Sequence, residues 1–581
     1  MLELNKMKRI SFIIIFIIII SFSSQAEAVS IGDTRSFYVD DSYDVISREK
    51  ITAFIADISA RAYFYLDENW WGTLDAKEQS RVKLALDLLG EEFDDNIYPN
   101  LVGVYGSEWN PGIDKDSRIT VLVHPMKKGS GGYFVTGNEY SRVANPSSNE
   151  KEMVYINADY ISSSLAKSFL AHEFTHLITY NQKERIRGVE EDLWLNEARA
   201  DYSPTLLGYD EQYEYSNLKS RVESFLKNPT DSITEWQGQN TDYGVVNIFT
   251  QYLVDHYGPA ILSLSMKSSK VGIDSINYVL KDNNVNKEFS QIFSDWLIAV
   301  LLNDCSLGKY YCYKSDNLED LRITPSINFL PVNGKSTLGI SQSTKDWAGN
   351  WFKIIGGNGS LKIEFIGNPE NVFKVFYIVN RNSKYTIDSF FLNSYQRGEV
   401  VVSGLGEDVD SIIIIPTIQS KITNFSTKEP AISYFWSATV VDKIEEPSKY
   451  LDKPVSQMSR DEILFKISEI EKLLNQLRAQ LGIINNPISN PVSCDNFNQN
   501  LSFGLMNNDR VKCLQEFLKN QGSDIYPEGL VTGNFLTLTK QAVVRFQEKY
   551  ASSILNPLGL FSGTGFVGPS TRAKINELLT K

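Results

Sequence analysis

The chain has 581 residues, 42% of them apolar and 12% aromatic, and a net charge of −14. That length points to several domains, and the composition is ample for large cores. The acidic balance and the lack of any basic run argue against a nucleic-acid partner.

The chain opens with Lys6, Lys8 and Arg9, then an apolar run from Ile10 to Phe22, then Ala26-Glu27-Ala28. A positive start, a short apolar core and a small-x-small site read as a signal peptide over 1–28, with the mature chain starting near Val29. The alternative is an uncleaved anchor, but the run is shorter than the roughly 20 residues a spanning helix needs. The expected location is therefore secreted, extracellular or wall-associated, with no membrane contact after cleavage. The four cysteines form two close pairs, Cys305 with Cys312 and Cys494 with Cys513. In an exported chain these read as two local disulfides.

Periodicity predicts helices over Ser47–Asp67 and Ala76–Phe93. The β-branched runs Arg118–His124 and Glu152–Ile156 predict strands. Asp114 and Asp116 either bind calcium or form a solvated turn; no full calcium-loop pattern follows them.

Residues 162–202 carry the chemistry. His172-Glu173-Phe174-Thr175-His176 lies in a stretch where Leu165, Phe169, Leu170, Phe174, Leu177 and Ile178 recur at helical spacing. Positions i and i+4 share one helix face, so both imidazoles can reach one metal ion. A catalytic zinc takes such nitrogens plus a carboxylate and keeps one position open. Glu173 borders that position as a candidate base. A second predicted helix, Trp194–Asp201, offers Glu197 as third ligand, and Asp201 one turn on, able to accept the other N–H of a ligand histidine.

HEFTH followed by WLNEARAD resembles the glutamate-zincin metallopeptidases of the thermolysin-like superfamily, most closely the secreted hyicolysin-type enzymes. The resemblance implies zinc held by His172, His176 and Glu197, Glu173 as general base and Asp201 behind the ligands. It makes 29–182 an upper lobe with the active-site helix and 183–322 a helical lower lobe. It implies a sheet above that helix whose edge strand pairs with extended substrate; either the Glu152–Ile156 strand or Gly131–Phe134 fits. It also implies a Tyr or His from the lower lobe beside the substrate carbonyl. Tyr243 is the candidate and His256 the alternative; Tyr243 equally fits a tyrosine packed at a helix start.

Residues 323–442 show short strand-like runs split by turns such as Gly356-Gly357-Asn358-Gly359, which predicts a β-sandwich of accessory role. Residues 443–493 read as a linker with one helix. Ile463, Ile467, Ile470, Leu474, Leu477 and Leu481 form an a/d seam that either dimerises the protein or packs on a neighbouring domain. Residues 494–581, with the doubled Leu514-Gln515 and Phe546-Gln547 and the G-x-x-T pattern, resemble the small three-helix peptidoglycan-binding domain. An insertion at Ala551–Ser562 and the cysteine pair depart from it. The resemblance implies a cell-wall glycopeptide ligand.

The expected whole is a multidomain α+β protein. Three functions fit: a secreted zinc endopeptidase targeted to the wall, a peptidase acting on peptidoglycan stem peptides, or a non-enzymatic wall-binding protein with a relic peptidase fold.

Overall fold

The computed structural model describes residues 29–441, 494, 496–505, 508–560 and 562–580. The expected signal segment 1–28 and the linker helix with its 463–481 seam lie outside the described residues. The chain is mixed α and β and forms two compact units, Met1–Ile444 and Glu445–Lys581. Among the described residues no helix is long and apolar enough to cross a membrane.

The first unit begins with strands β1 (Thr34–Tyr38), β2 (Lys50–Ile58) and β3 (Ala62–Asp67), then helices α1 (Glu68–Trp71), α2 (Ala76–Glu92) and α3 (Tyr98–Tyr105). Strands β4 (Ile119–His124), β5 (Gly132–Phe134) and β6 (Met153–Asn157) follow. The helix expected over Ser47–Asp67 is instead the β2–β3 hairpin. Ile51, Ala53 and Ile55 are buried at a period of two, and Ser59-Ala60-Arg61 turns the chain. Apolar and β-branched residues packed this densely satisfy both periods locally, and the neighbouring strands decide the outcome.

The six strands run β1-β2-β3-β4-β6-β5, with β3, β4 and β6 parallel and β5 antiparallel on the edge. Both faces are covered. Phe64, Leu66, Val121, Val123, Val154 and Ile156 face the helices. Tyr63, Tyr65, Leu122, Tyr133 and Tyr155 pack under Phe37, Ile51 and Ile55.

Helix α4 (Ala166–Thr179) packs beneath β5 and β6. It is buried nearly all round, as expected of a helix between two layers. Phe174 sits fully buried between Phe93 and Tyr98, with ring centroids 5.1 and 5.5 Å away. On its other side lie α5 (Leu193–Leu206), α6 (Asn217–Lys227) and α7 (Asn240–Tyr257). Helices α8 (Ala260–Met266), α9 (Gly272–Asp282) and α10 (Phe289–Leu302) complete the lobe. A buried lysine ties its parts together: Lys183 Nζ donates to the carbonyls of Ser265, Ser268 and Lys270 and pairs with Glu191.

Nine strands follow: β7 (Ser326–Leu330), β8 (Thr337–Thr344), β9 (Phe352–Gly356), β10 (Gly359–Gly367), β11 (Phe373–Arg381), β12 (Lys384–Ser389), β13 (Arg397–Leu405), β14 (Val409–Ile418) and β15 (Ile432–Val441). The strands run β12-β11-β14-β13-β10-β15-β8, with β9 beside β14 and β7 beside β9; β13 and β14 join only at Leu405 and Val409, and the two halves fold over one core, with Phe352 against Trp436 and Phe373 against Phe365. Ile412 and Ile414 of β14 face that core, while Ile413 and Ile415 join the core of the helical lobe. A four-isoleucine run is what a strand buried on both faces requires. Trp351 adds a hydrogen bond from its indole N–H to the Leu297 carbonyl.

The expected disulfides Cys305–Cys312 and Cys494–Cys513 are both present. The second unit carries helices at Asp509–Asn520, Thr537–Lys549 and Pro569–Leu579. The Ala551–Ser562 insertion supplies a short turn of helix at Ala551–Ile554. Two buried glutamines explain the doubled motif. Gln515 accepts from the Thr532 and Gly533 amides and donates to the Asn534 carbonyl and the Thr539 hydroxyl. Gln547 makes the same four bonds with Thr564, Gly565, Phe566 and Thr571, each 32 residues further on. Gln515→Ala and Gln547→Ala should therefore destabilise this unit by similar amounts. Each buried amide left unpaired costs roughly 1–3 kcal/mol, read as a shift in its denaturation midpoint.

Candidate metal centre

Helix α4 presents His172 and His176 one turn apart, with Nε2 atoms 3.2 Å from each other. Helix α5 crosses it and brings Glu197 Oε2 to 3.3 Å from His172 Nε2 and 3.6 Å from His176 Nε2. All three residues are more than nine-tenths buried. Glu197 Oε2 has no hydrogen-bond partner. A tetrahedral zinc site with bonds of about 2.0–2.1 Å has donor-to-donor edges of about 3.3–3.4 Å, close to this triangle. The donors and the orphaned oxygen thus fit a zinc ion.

Further contacts fix the ligands. His176 Nδ1 lies 3.1 Å from Asn196 Oδ1, so its N–H sits there and Nε2 is left free. His172 Nδ1 faces Asp201 Oδ1 at 3.7 Å, within ion-pair range. Asp201 is fully buried, and Arg221 grips it through Nε at 2.9 Å and Nη2 at 2.8 Å. Asn217 and Asn247 donate to the same carboxylate. Burial opposes that charge, yet Arg221 and His172 hold the carboxyl well below its usual range.

The Glu173 carboxylate lies within 4.8 Å of both imidazole nitrogens. Burial pushes it up to about 8, against the pull of His172 and with Glu197 adding to the rise. Burial disfavours the His172 imidazolium, but Asp201, Glu197 and Glu173 together raise it to about 10. Burial holds His176 neutral, lowering its pKa.

The structure decides between the two candidate edge strands: β5, residues Gly132–Phe134, is the edge. At Gly132 a Cβ would meet the Tyr155 carbonyl at 2.5 Å and Glu173 Cγ at 3.0 Å, so glycine lets the strand lie directly on Glu173. Phe134 stacks over His176 with centroids 6.3 Å apart.

Tyr243 lies near His172, its ring centroid 6.2 Å from the imidazole. Arg221 stacks on its ring at 4.6 Å, so one guanidinium holds both Asp201 and Tyr243. Burial, then Glu197 and Glu173, raise its pKa. The alternative, His256, does not reach the site. It sits 13 residues further along α7, about 20 Å at 1.5 Å per residue, and bonds the Cys312 carbonyl at 2.8 Å.

Asp114 and Asp116, weighed from the sequence as a calcium site or a turn, sit in a turn. Asp116 accepts from the Arg118 amide and the Tyr63 hydroxyl, and Asp114 accepts from the Asp116 amide and Lys151 Nζ. Turn and ion pair use their oxygens.

Two participants were missed. Arg221 has no signal beyond a charged residue on a helix. Tyr43 comes from the β1–β2 connection and stacks on Tyr133 of β5, centroids 4.6 Å apart. Burial raises its pKa, and Glu173 and Glu197 raise it further, so both carboxylates of the centre act on this phenol. Its hydroxyl makes no hydrogen bond among the described residues. Nothing around Tyr43 in the sequence marks it.

No protein-family model and no curated protein matches the chain. Solved structures give faint likenesses. The pre-peptidase C-terminal domain of a collagenase from Bacillus anthracis is 8% identical at a TM-score of 0.14, covering 20% of this chain and 96% of its own. A periplasmic lysozyme inhibitor of g-type lysozyme from Aeromonas hydrophila is 11% identical at 0.13, covering 20% and 98%. A 4-O-methyl-α-glucuronidase with specificity for decorated arabinogalactans is 9% identical at 0.12, covering 56% and 52%. None of these bears on function.

Arg221→Ala should leave the Asp201 charge buried with only amide and imidazole neighbours. The expected loss is near the lower end of the roughly 3–5 kcal/mol for a broken buried pair. Arg221→Lys should recover only part, since the two-pronged grip is lost. Unfolding of the metal-free protein measures both.

Proposed function

We propose that the protein is a zinc-dependent endopeptidase of the glutamate-zincin kind, exported and directed to the cell wall by its C-terminal unit. One observation carries the reading: the buried, unpartnered Glu197 Oε2 completes a zinc-sized triangle with His172 and His176 Nε2. Zinc, which these three residues would hold, would supply Lewis-acid chemistry at a carbonyl and at water.

The remaining work belongs to the chain. Glu173 takes the proton of the attacking water and delivers it to the leaving amine. The β5 edge pairs with an extended substrate and lays its backbone across the centre, a mode that accepts many sequences. Gly132 lets the β5 backbone itself lie against Glu173. Tyr243 donates a hydrogen bond to the oxygen that gains charge in the transition state. Asn196 and Asp201 hold the ligand imidazoles in their working tautomers.

Purified protein should carry about one equivalent of zinc, lost in His176→Ala. Glu173→Gln should keep the zinc and lower peptide hydrolysis by about 100- to 10,000-fold. Near wild-type hydrolysis by zinc-loaded Glu173→Gln would refute the mechanism, and a zinc-loaded wild type inert toward casein and sacculi would return the non-enzymatic reading.

The likeness of 494–581 to wall-binding domains supports the targeting role. A chain ending near Asp442 should keep its peptidase activity and stop co-sedimenting with purified sacculi. Undiminished sedimentation would move wall binding to the sandwich.

A further inference from the structure

Helix α6 carries Arg221 and helix α7 carries Tyr243, and the guanidinium of the first stacks on the ring of the second. The two helices close tightly at Gly244, where a Cβ would fall 2.6 Å from the Phe225 amide nitrogen. The segment that joins them is bound along its length to the sandwich. Ser232, Ile233 and Glu235 are fully buried. Ser232 forms a bridge with Ala348, and its hydroxyl donates to the Asp346 carbonyl at 2.7 Å. The Ile233 amide donates to the Trp347 carbonyl at 3.1 Å, and Glu235 pairs with the Lys345 ammonium. All four partners lie in the connection between β8 and β9.

Trp347 is the anchor of that connection. It holds φ +55°, a conformation a bulky residue keeps only when its surroundings impose it. Its amide donates to the Ile418 carbonyl at the end of β14, and its indole N–H donates to the Lys421 carbonyl. Its ring packs on Phe289 and Phe293 of α10, with centroids 5.0 and 5.4 Å away.

The other end of the 232–236 segment reaches the metal centre. Trp236 packs edge-on against Tyr243, with centroids 4.8 Å apart. Asp242 Oδ2 accepts the Gln237 and Gln239 amides, each at 2.8 Å, and Gln237 Nε2 donates to Glu235 Oε1 at 2.6 Å. These bonds fasten the segment to the first turn of α7. Tyr243 is thus packed by Trp236 and by Arg221, with the His172 imidazole 6.2 Å away. A side chain at a helix start turns about χ1 unless its neighbours fix it. A hydrogen-bond donor that serves a transition state must be held to within about 0.5 Å.

We propose that the sandwich is a positioning element of the peptidase site: through the 232–236 segment it holds Trp236 against Tyr243 and so sets the place of the phenol beside the metal centre. The inference rests on the peptidase reading above and on the role given there to Tyr243. Trp236 is a positioning residue, since it acts through Tyr243. The sandwich then contributes to catalysis itself, beyond any part in binding or spacing.

The test is a double-mutant cycle in the full, zinc-loaded chain, with casein as substrate and rates normalised to bound zinc. Trp236→Ala should lower kcat by about 10- to 100-fold, the scale of a misplaced catalytic group, with KM little changed and zinc retained. Trp236→Phe should recover most of the rate. In a Tyr243→Phe background, Trp236→Ala should cost nothing further, because the group it positions is already gone. A Glu235→Gln, Lys345→Met double variant loosens the far end of the segment without touching Tyr243, and it should lower kcat in the same direction. If Trp236→Ala does not fold, that double variant takes its place in the cycle. Losses that add in the Tyr243→Phe background, or an unchanged kcat in Trp236→Ala, overturn the inference and leave the peptidase reading standing. A zinc-loaded wild type inert toward casein and sacculi removes both.

Discussion

A buried carboxylate oxygen held against two imidazole nitrogens is the constraint around which the site is arranged. Glu197 Oε2 could lie at a surface at little cost. Instead α5 holds it against two imidazoles on α4, in a place from which water is largely excluded. Burying such a group is unfavourable unless something of opposite charge meets it. The neighbourhood is consistent with that need. Burial lowers the pKa of the His176 imidazole, Asn196 Oδ1 faces its Nδ1, and Asp201 stands behind His172 with its own charge met by Arg221, Asn217 and Asn247.

This arrangement needs two rigid helices crossing at one fixed place, and the rest of the unit supplies that rigidity. Above α4 lies a sheet with both faces buried; below it, helices are pinned by the Lys183 ammonium and by Arg199, which pairs with Glu191 at 2.7 Å. The sandwich extends the same logic. Its β14 strand shares its isoleucines between two cores, so the nine-stranded region buttresses the helical lobe as well as enclosing a core of its own.

The edge strand is where constraint gives way to access. β5 has a partner on one side only, and Gly132 brings its backbone onto Glu173. Two phenols, Tyr243 from the helical lobe and Tyr43 from the connection after β1, feel the same pair of carboxylates.

Local patterns in the chain already determined a good deal. Histidines four apart share a helix face in any α-helix, and Glu197 and Asp201 share one for the same reason. The cysteine pairs are close enough in sequence to find each other, and the strands of the sandwich and the three C-terminal helices follow from turn residues and periodicity. Tertiary structure alone decided which faces meet. It brought Glu197 to both imidazoles, chose β5 as the edge and placed His256 about 20 Å along the helix from Tyr243. It turned 50–67 into a hairpin where the pattern suited a helix. Periodicity records which side of an element is buried. It does not record what that side is buried against, because that depends on contacts between residues far apart in the chain.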